Sequence, residues 1–218
     1  MWEARSSVAR MSIDDGLVVA TLTISLDGFV AGPNQTLENP LGEGAERLHA
    51  WMFDDPDSSQ SVIDTILGVA AVIQGRNMFG PIRGEWPDDS WRGWWGEDPP
   101  YHSPVFVLTH YPREPLEMDG GTTFHFVTGG VEEAFERARA AAGPGGHISI
   151  AGGASTVRQA INAGLLDRLV LSVAPITLGA GERLFDGVTV GGPDGIVLKP
   201  IDVLATPLAT HITYDVAR

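Results

Sequence analysis

Residues 148–159 read ISIAGGASTVRQ. An apolar run stops at two glycines, passes through small polar residues and resumes with the apolar spacing of a helix. A buried strand must therefore turn sharply into a helix here. Gly152 and Gly153 carry no Cβ, so they can adopt unusual backbone angles and let a second group lie against the chain. With its N-cap placed at Ser155, the helix would aim free N–H groups and the positive end of its dipole at the turn. Those favour an anion such as a phosphate. The same residues also describe a tight turn that binds nothing, so the other strand ends must be read beside it.

The rest of the chain repeats strand and helix. Apolar runs at 17–25, 69–73, 105–108 and 169–173 read as strands, and 123–128 alternates as a half-buried one. Helical spacing joins Ala45, Leu48, Trp51 and Met52, then Val62, Ile63, Ile66 and Leu67. A third set, Val131, Ala134, Phe135, Ala138 and Ala142, is closed by Gly143 and Pro144. This order predicts a single-domain α/β chain with a mixed, mostly parallel central sheet flanked by helices. Ile212, Tyr214 and Val216 alternate in a last strand that should form an antiparallel edge. Residues 80–104 are rich in Pro, Gly and Trp, and Trp86, Trp91, Trp94 and Trp95 should pin this insertion by aromatic burial. Residues 1–15 read as a flexible tail and 16–218 as one domain.

Composition removes several classes of function. The net charge is −14, which argues against a nucleic-acid partner, since such proteins carry a basic footprint. The absence of cysteine excludes disulfides, thiolate metal sites, a cysteine nucleophile and the zinc deaminase signature. The six histidines show no metal-ligand spacing, so no metal is expected. No apolar run reaches the ~18 residues of a membrane span. The first fifteen residues lack the apolar core of a signal peptide, so a cytoplasmic protein is expected.

Two further strand ends match the first. Gly75, Arg76 and Asn77 follow an apolar strand, and Thr109, His110, Tyr111 and Arg113 follow another. Ligands of open α/β sheets bind at the carboxyl edge, and arginine offers phosphate a planar, permanently charged fork. Three such ends could together hold a dinucleotide, with Arg76 or His110 near a ribose 2′-phosphate favouring NADP over NAD. Competing motifs are incomplete. Residues 179–184, GAGERL, place Leu184 where a Rossmann fingerprint needs glycine. Val157 replaces the closing glycine of a nucleophile elbow, which disfavours a hydrolase.

TISLDGFV (23–30), GRNMF (75–79), VFVLTH (105–110), IAGGAST (150–156) and LGAGERLF (178–185) occur in this order. Together they resemble the dihydrofolate reductase-like family that includes the reductase domain of riboflavin biosynthesis, in particular its stand-alone bacterial members. The resemblance implies a three-layer fold with NADPH across the carboxyl ends of the strands. Gly75, Arg76 and Asn77 would hold the adenosine side, with Thr109 and His110 at the ribose. Gly152, Gly153, Ala154, Ser155 and Thr156 would cradle the pyrophosphate, and Ala20 would back the nicotinamide. Asp27 lies in the loop that covers the site in relatives, and 178–182 would line its other side. Asp27, Glu182 or an ordered water would deliver the proton. The segment ERLHAWMFD (46–54) offers no clear match for the acid that binds pterin in dihydrofolate reductases, so folate is not the expected substrate. The expected activity is hydride transfer from NADPH to a small polar heterocyclic, carbonyl or imine substrate. A homodimer is possible by analogy, and a non-catalytic nucleotide-binding protein on the same fold is the alternative.

Overall fold

The computed structural model describes residues 16–81, 83–191 and 195–217, so the expected tail at 1–15 lies outside the described residues. The strands are β1 (Val18–Ser25), β2 (Phe29–Ala31), β3 (Ala71–Gly75), β4 (Pro104–Leu108), β5 (Leu116–Glu117), β6 (Thr123–Val127), β7 (Ile148–Gly152), β8 (Arg168–Ala174), β9 (Glu182–Arg183), β10 (Val197–Ala205) and β11 (Thr210–Ala217). The helices are α1 (Ala50–Phe53), α2 (Gln60–Leu67), α3 (Arg76–Phe79), α4 (Val131–Ala142) and α5 (Ala154–Asn162). Among the described residues nine strands form one sheet in the order β10-β11-β8-β1-β7-β3-β4-β6-β5, and β2 pairs with β9 in a separate ribbon. The five inner pairings from β8 to β6 are parallel. The pairings that add β11, β10 and β5 are antiparallel.

β1 shows why the sheet carries a layer on each face. Its side chains alternate. Val18, Ala20, Leu22 and Ile24 enter the largest core cluster, with Ala134 and Phe135 of α4 and Val157 and Ile161 of α5. Val19 points the other way, into a smaller cluster around Trp51 and Val62. Thr23 also faces that side and accepts the Trp51 indole N–H at 3.0 Å. Farther along this second face, Phe79, Tyr101 and Phe124 pack on Val72, Val105 and Val107. The second layer is thus α1 and α2 at one end and the aromatic insertion at the other.

Four expectations need correction. β11 is antiparallel, but it lies between β8 and β10, and β10 is the edge. Nearly every β10 side chain is exposed, so no apolar alternation marks it as a strand. Pro200, which has no N–H to donate, is tolerated there because an edge strand needs no second partner. Helical geometry in 45–53 is confined to α1; Ala45 and Leu48 are buried from turns. The strand expected at 69–73 runs from Ala71 to Gly75, because its partners β4 and β7 start opposite Val72 and Ala71. Finally, the N-cap of α5 is Gly153, and Ser155 lies inside the helix. The bend is completed by Gly152 at φ +120°, so helix begins at once on Ala154.

Candidate functional site

Five segments converge at the carboxyl edge of the sheet. A Cβ on Gly75 would lie 2.6 Å from Thr156 Oγ1 and 3.5 Å from the Gly153 nitrogen. The end of β3 therefore rests on the strand-to-helix bend, and any side chain at residue 75 would have to push Thr156 aside. A Cβ on Gly152 would stand 3.5 Å from Leu22 Cδ2 of β1, and one on Gly153 would stand 3.8 Å from Glu182 Oε2 of β9. The Gly152–Gly153 peptide is cis. Among the described residues, the Ala154 and Ser155 N–H groups at the start of α5 meet no acceptor. Thr156 is buried against the bend, while Ser155 is exposed and accepts from Gln159. Glycine walls, two free N–H groups and a helix dipole make a cradle that fits an anion.

The loops after β1 and β8 close over one side. Leu26 N–H donates to the Ile176 carbonyl at 2.8 Å, β2 pairs with β9, and Leu184 N–H reaches the Gly28 carbonyl. Asp27 is the latch between them. Its carboxylate accepts the Ser25 hydroxyl at 2.6 Å, Leu178 N–H at 3.1 Å and Gly179 N–H at 2.7 Å. The Ser25 hydrogen bond, helped by the two backbone N–H groups, lowers its pKa to about 2. Near neutral pH Asp27 is thus an ionised acceptor already occupied by the loop. Glu182 differs: it is half-buried on β9, and its carboxylate is turned toward the bend.

The remaining expected residues are distributed unevenly. Arg76 opens α3 one residue past the cradle wall. Its guanidinium stacks 3.8 Å over the Trp86 ring, lies 5.1 Å from the Tyr111 ring centroid and donates to the Gly84 carbonyl. Nε and Nη2 are buried and, among the described residues, have no partner. Burial lowers its pKa, while Tyr111 acts in the opposite direction. Asn77 follows it, half-buried. Thr109 lies just past β4, whose Leu108 pairs with Gly75. Its hydroxyl accepts Tyr111 N–H at 3.2 Å, and His110 is exposed beside it. Ala20 is not brought to the groove. It sits in the middle of β1, opposite Ile150 and Leu169, fully buried in the core. Leu22 is the β1 residue that reaches the bend, because the strand runs three residues beyond it to Ser25.

Sequence reading also missed how the insertion serves the site. Trp86 donates to the Tyr111 carbonyl at 3.1 Å, and its ring carries Arg76. Trp91 and Trp94 donate to the Phe79 and Met78 carbonyls, so two indoles satisfy the open end of α3. The density of tryptophans was the available signal for burial, but not for these partners. Among the described residues, no group of three His, Asp or Glu side chains could hold a metal ion.

The uncharacterized protein YyaP of Bacillus subtilis (strain 168) is 27% identical over 174 residues, covering 77% of this chain and 79% of that protein. A solved structure from Shewanella sp. PV-4, named for riboflavin biosynthesis, superposes with a TM-score of 0.60 at 21% identity, covering 93% of this chain and 99% of the other. A pyrimidine reductase-like protein from Corynebacterium diphtheriae gives a TM-score of 0.54 at 16% identity and 94% of each chain. These likenesses agree with the three-layer dihydrofolate reductase-like fold. The RibD C-terminal domain family matches residues 17–205, the span that contains every glycine bend, the latch and the aromatic insertion, and the chain belongs to that family.

Proposed function

We propose that the protein is an NADPH-dependent reductase acting on a carbonyl or imine carbon of a small polar heterocycle. The convergence of Gly75, Gly152, Gly153, Thr156 and Glu182 on one bend carries this reading. Family membership and the pyrimidine reductase-like relative support it. The cradle at Gly152–Thr156 fits a pyrophosphate, with the Ala154 and Ser155 N–H groups as donors. Arg76, beside the cradle wall at the start of α3, fits a 2′-phosphate, which its buried Nε and Nη2 would turn outward to meet, and Asn77, Thr109 and His110 flank the adenosine side. When bound, the reduced nicotinamide supplies the hydride.

The chain's own task is to position, to exclude water and to move one proton. The β2–β9 ribbon and the Asp27 latch hold the covering loops in place. Asp27, ionised and accepting from Ser25, Leu178 and Gly179, positions those loops. Glu182 Oε2, beside the Gly153 bend, is the group placed to pass a proton to the reduced substrate. Titration with NADPH and NADH, followed by NADPH oxidation assays across pyrimidines, pterins and quinones, tests the reading. Glu182→Gln should lower kcat by roughly 10²–10⁴-fold without weakening NADPH binding, since it also removes a negative charge beside the pyrophosphate cradle. Binding of NADPH without turnover of any compound would instead support a non-catalytic nucleotide-binding protein. Lack of NADPH binding would end both readings.

A further inference from the structure

Two arginines leave neighbouring strand ends and reach the aromatic insertion, and the insertion meets them differently. Arg113, beyond β4, is an anchor. Its Nε lies 3.2 Å from the Asp89 carboxylate, and its Nη2 donates to the Asp89 and Trp91 carbonyls at 2.8 and 2.9 Å. Arg76, beyond β3, donates only through Nη1, to the Gly84 carbonyl. Its Nε and Nη2 are buried and meet no acceptor among the described residues. A guanidinium stays charged when buried, and leaving the donors of a charged group unmet costs more than leaving neutral ones unmet. The arrangement at Arg76 is therefore strained electrostatically. It is not needed to hold the insertion, which Arg113 and the Trp91 and Trp94 N–H groups already fasten.

What covers Arg76 is a short strap. The Trp86 ring lies 3.8 Å from the guanidinium carbon and the Tyr111 ring 5.1 Å from it. The Trp86 N–H, 3.1 Å from the Tyr111 carbonyl, ties the strap to the residues after β4. From Arg83 to Ser90 every residue is exposed except Trp86, which is half-buried. The strap is thus held over Arg76 by one indole and one carbonyl. It also has a hinge and room to move. Gly84 sits at φ +74°, and a Cβ there would meet nothing within 4 Å, so the turn itself, not crowding, calls for glycine. Beside Trp86 an open cleft of about 330 Å³, bounded by Asp89, Pro112, Arg113 and Glu114, can receive the ring.

We infer that Trp86 is a positioning residue that withholds Arg76: it keeps the guanidinium shut against its ring and the Gly84 carbonyl until a nucleotide 2′-phosphate draws it out. The phosphate gives Nε and Nη2 the acceptors that the closed strap denies them, and residues 84–86 swing on Gly84 toward the Pro112 cleft. A nucleotide without that phosphate offers Arg76 nothing in place of the stack and leaves the strap closed. The closed population lowers the apparent affinity for the phosphorylated nucleotide, so loosening the strap tightens binding. A ring that only supported Arg76 would act with the opposite sign. The inference rests on the reading that Arg76 meets the 2′-phosphate, and it adds a competitor for that side chain.

Calorimetric titration of the full chain with NADPH and NADH is the test. Trp86→Leu should bind NADPH roughly five- to tenfold tighter than wild type, the worth of a cation–π stack, with NADH unchanged. In an Arg76→Ala background the same substitution should change neither affinity. In wild type, the Trp86 indole N–H resonance, identified by its absence from the Trp86→Leu spectrum, should exchange with water faster when NADPH is added but not when NADH is added. Equal or weaker NADPH binding by folded Trp86→Leu overturns the inference. So does a gain that survives without Arg76, or an indole proton that NADPH leaves protected. If Trp86→Leu does not fold, Gly84→Ala takes its place. Its methyl strains the closed turn at φ +74°, so NADPH should bind about fivefold tighter, and unchanged or weaker binding overturns the inference. Wild type separates the two levels. If it fails to bind NADPH, or binds NADPH and NADH equally, the reading of Arg76 falls and the inference with it. A preference for NADPH that neither variant strengthens defeats only the role of Trp86.

Discussion

Arg76 shows how one side chain can be legible in type but not in setting. A glycine followed by arginine at a strand end suggested an anion site; the stacking on Trp86 and the two unpaired N–H groups come from a segment ten residues away. Arg76→Ala should weaken NADPH binding by about 10- to 100-fold, the usual worth of hydrogen bonds to a charged group, and NADH far less. Calorimetric titration of both nucleotides decides this, and equal losses would remove Arg76 from the 2′-phosphate. Asp27 makes a prediction about pH. Its folded pKa, about 2, lies below the ordinary 3.8. The latch thus adds stability above about pH 4 that disappears as pH falls through 2. Wild type should melt higher than Asp27→Asn at neutral pH, and the gap should close on acidification over that range. Gly75→Ala would place a methyl 2.6 Å from Thr156 Oγ1. Thr156 is branched and buried, so the loss should be about 1–3 kcal/mol by denaturant unfolding. Thr156→Ala should recover part of it in the double variant.

Elements whose pattern agrees with their burial were readable. β1, β7, α4 and α5 carry apolar residues at the period their geometry requires, and they occur at or near the positions expected. β10 and α3 were not readable, for different reasons. β10 is exposed and exists because its backbone bonds to β11, which no side-chain period records. α3 has four residues and is completed by indoles 12 and 16 residues downstream of its last carbonyls. Trp91→Phe keeps the aromatic packing but deletes the N–H that satisfies the Phe79 carbonyl at 2.8 Å. It should cost about 1 kcal/mol in denaturant unfolding. An unchanged stability would mean that ring packing alone holds the insertion.

Across the whole molecule, contacts between distant segments set both stability and site. His211 on β11 is buried between the Ser172 hydroxyl, 2.8 Å from Nδ1, and the Ser59 hydroxyl, 3.0 Å from Nε2, and its ring meets Trp51 edge-on at 4.9 Å. Burial depresses its pKa below 6.5. The unfolded chain then binds the proton more readily, so this contribution is complete above about pH 6.5 and falls away as pH drops below it. Thermal midpoints between about pH 7.5 and 5 should fall less steeply in His211→Gln than in wild type. The slope that remains would belong to His49 and His125, whose pKa values burial also lowers. The amino-acid order alone determined the alternation of strand and helix, the glycine bends and the acidic, cysteine-free character, because these depend on neighbours within a few residues. Only the folded chain decided that Gly75 rests on Thr156, that Asp27 ties two loops together, that Ala20 is core, and that Gln74 Oε1 is left without a donor among the described residues. Those outcomes depend on which strands become neighbours and on which face each side chain emerges, and a pairing across 80 or 150 residues leaves no local trace in the residues it joins.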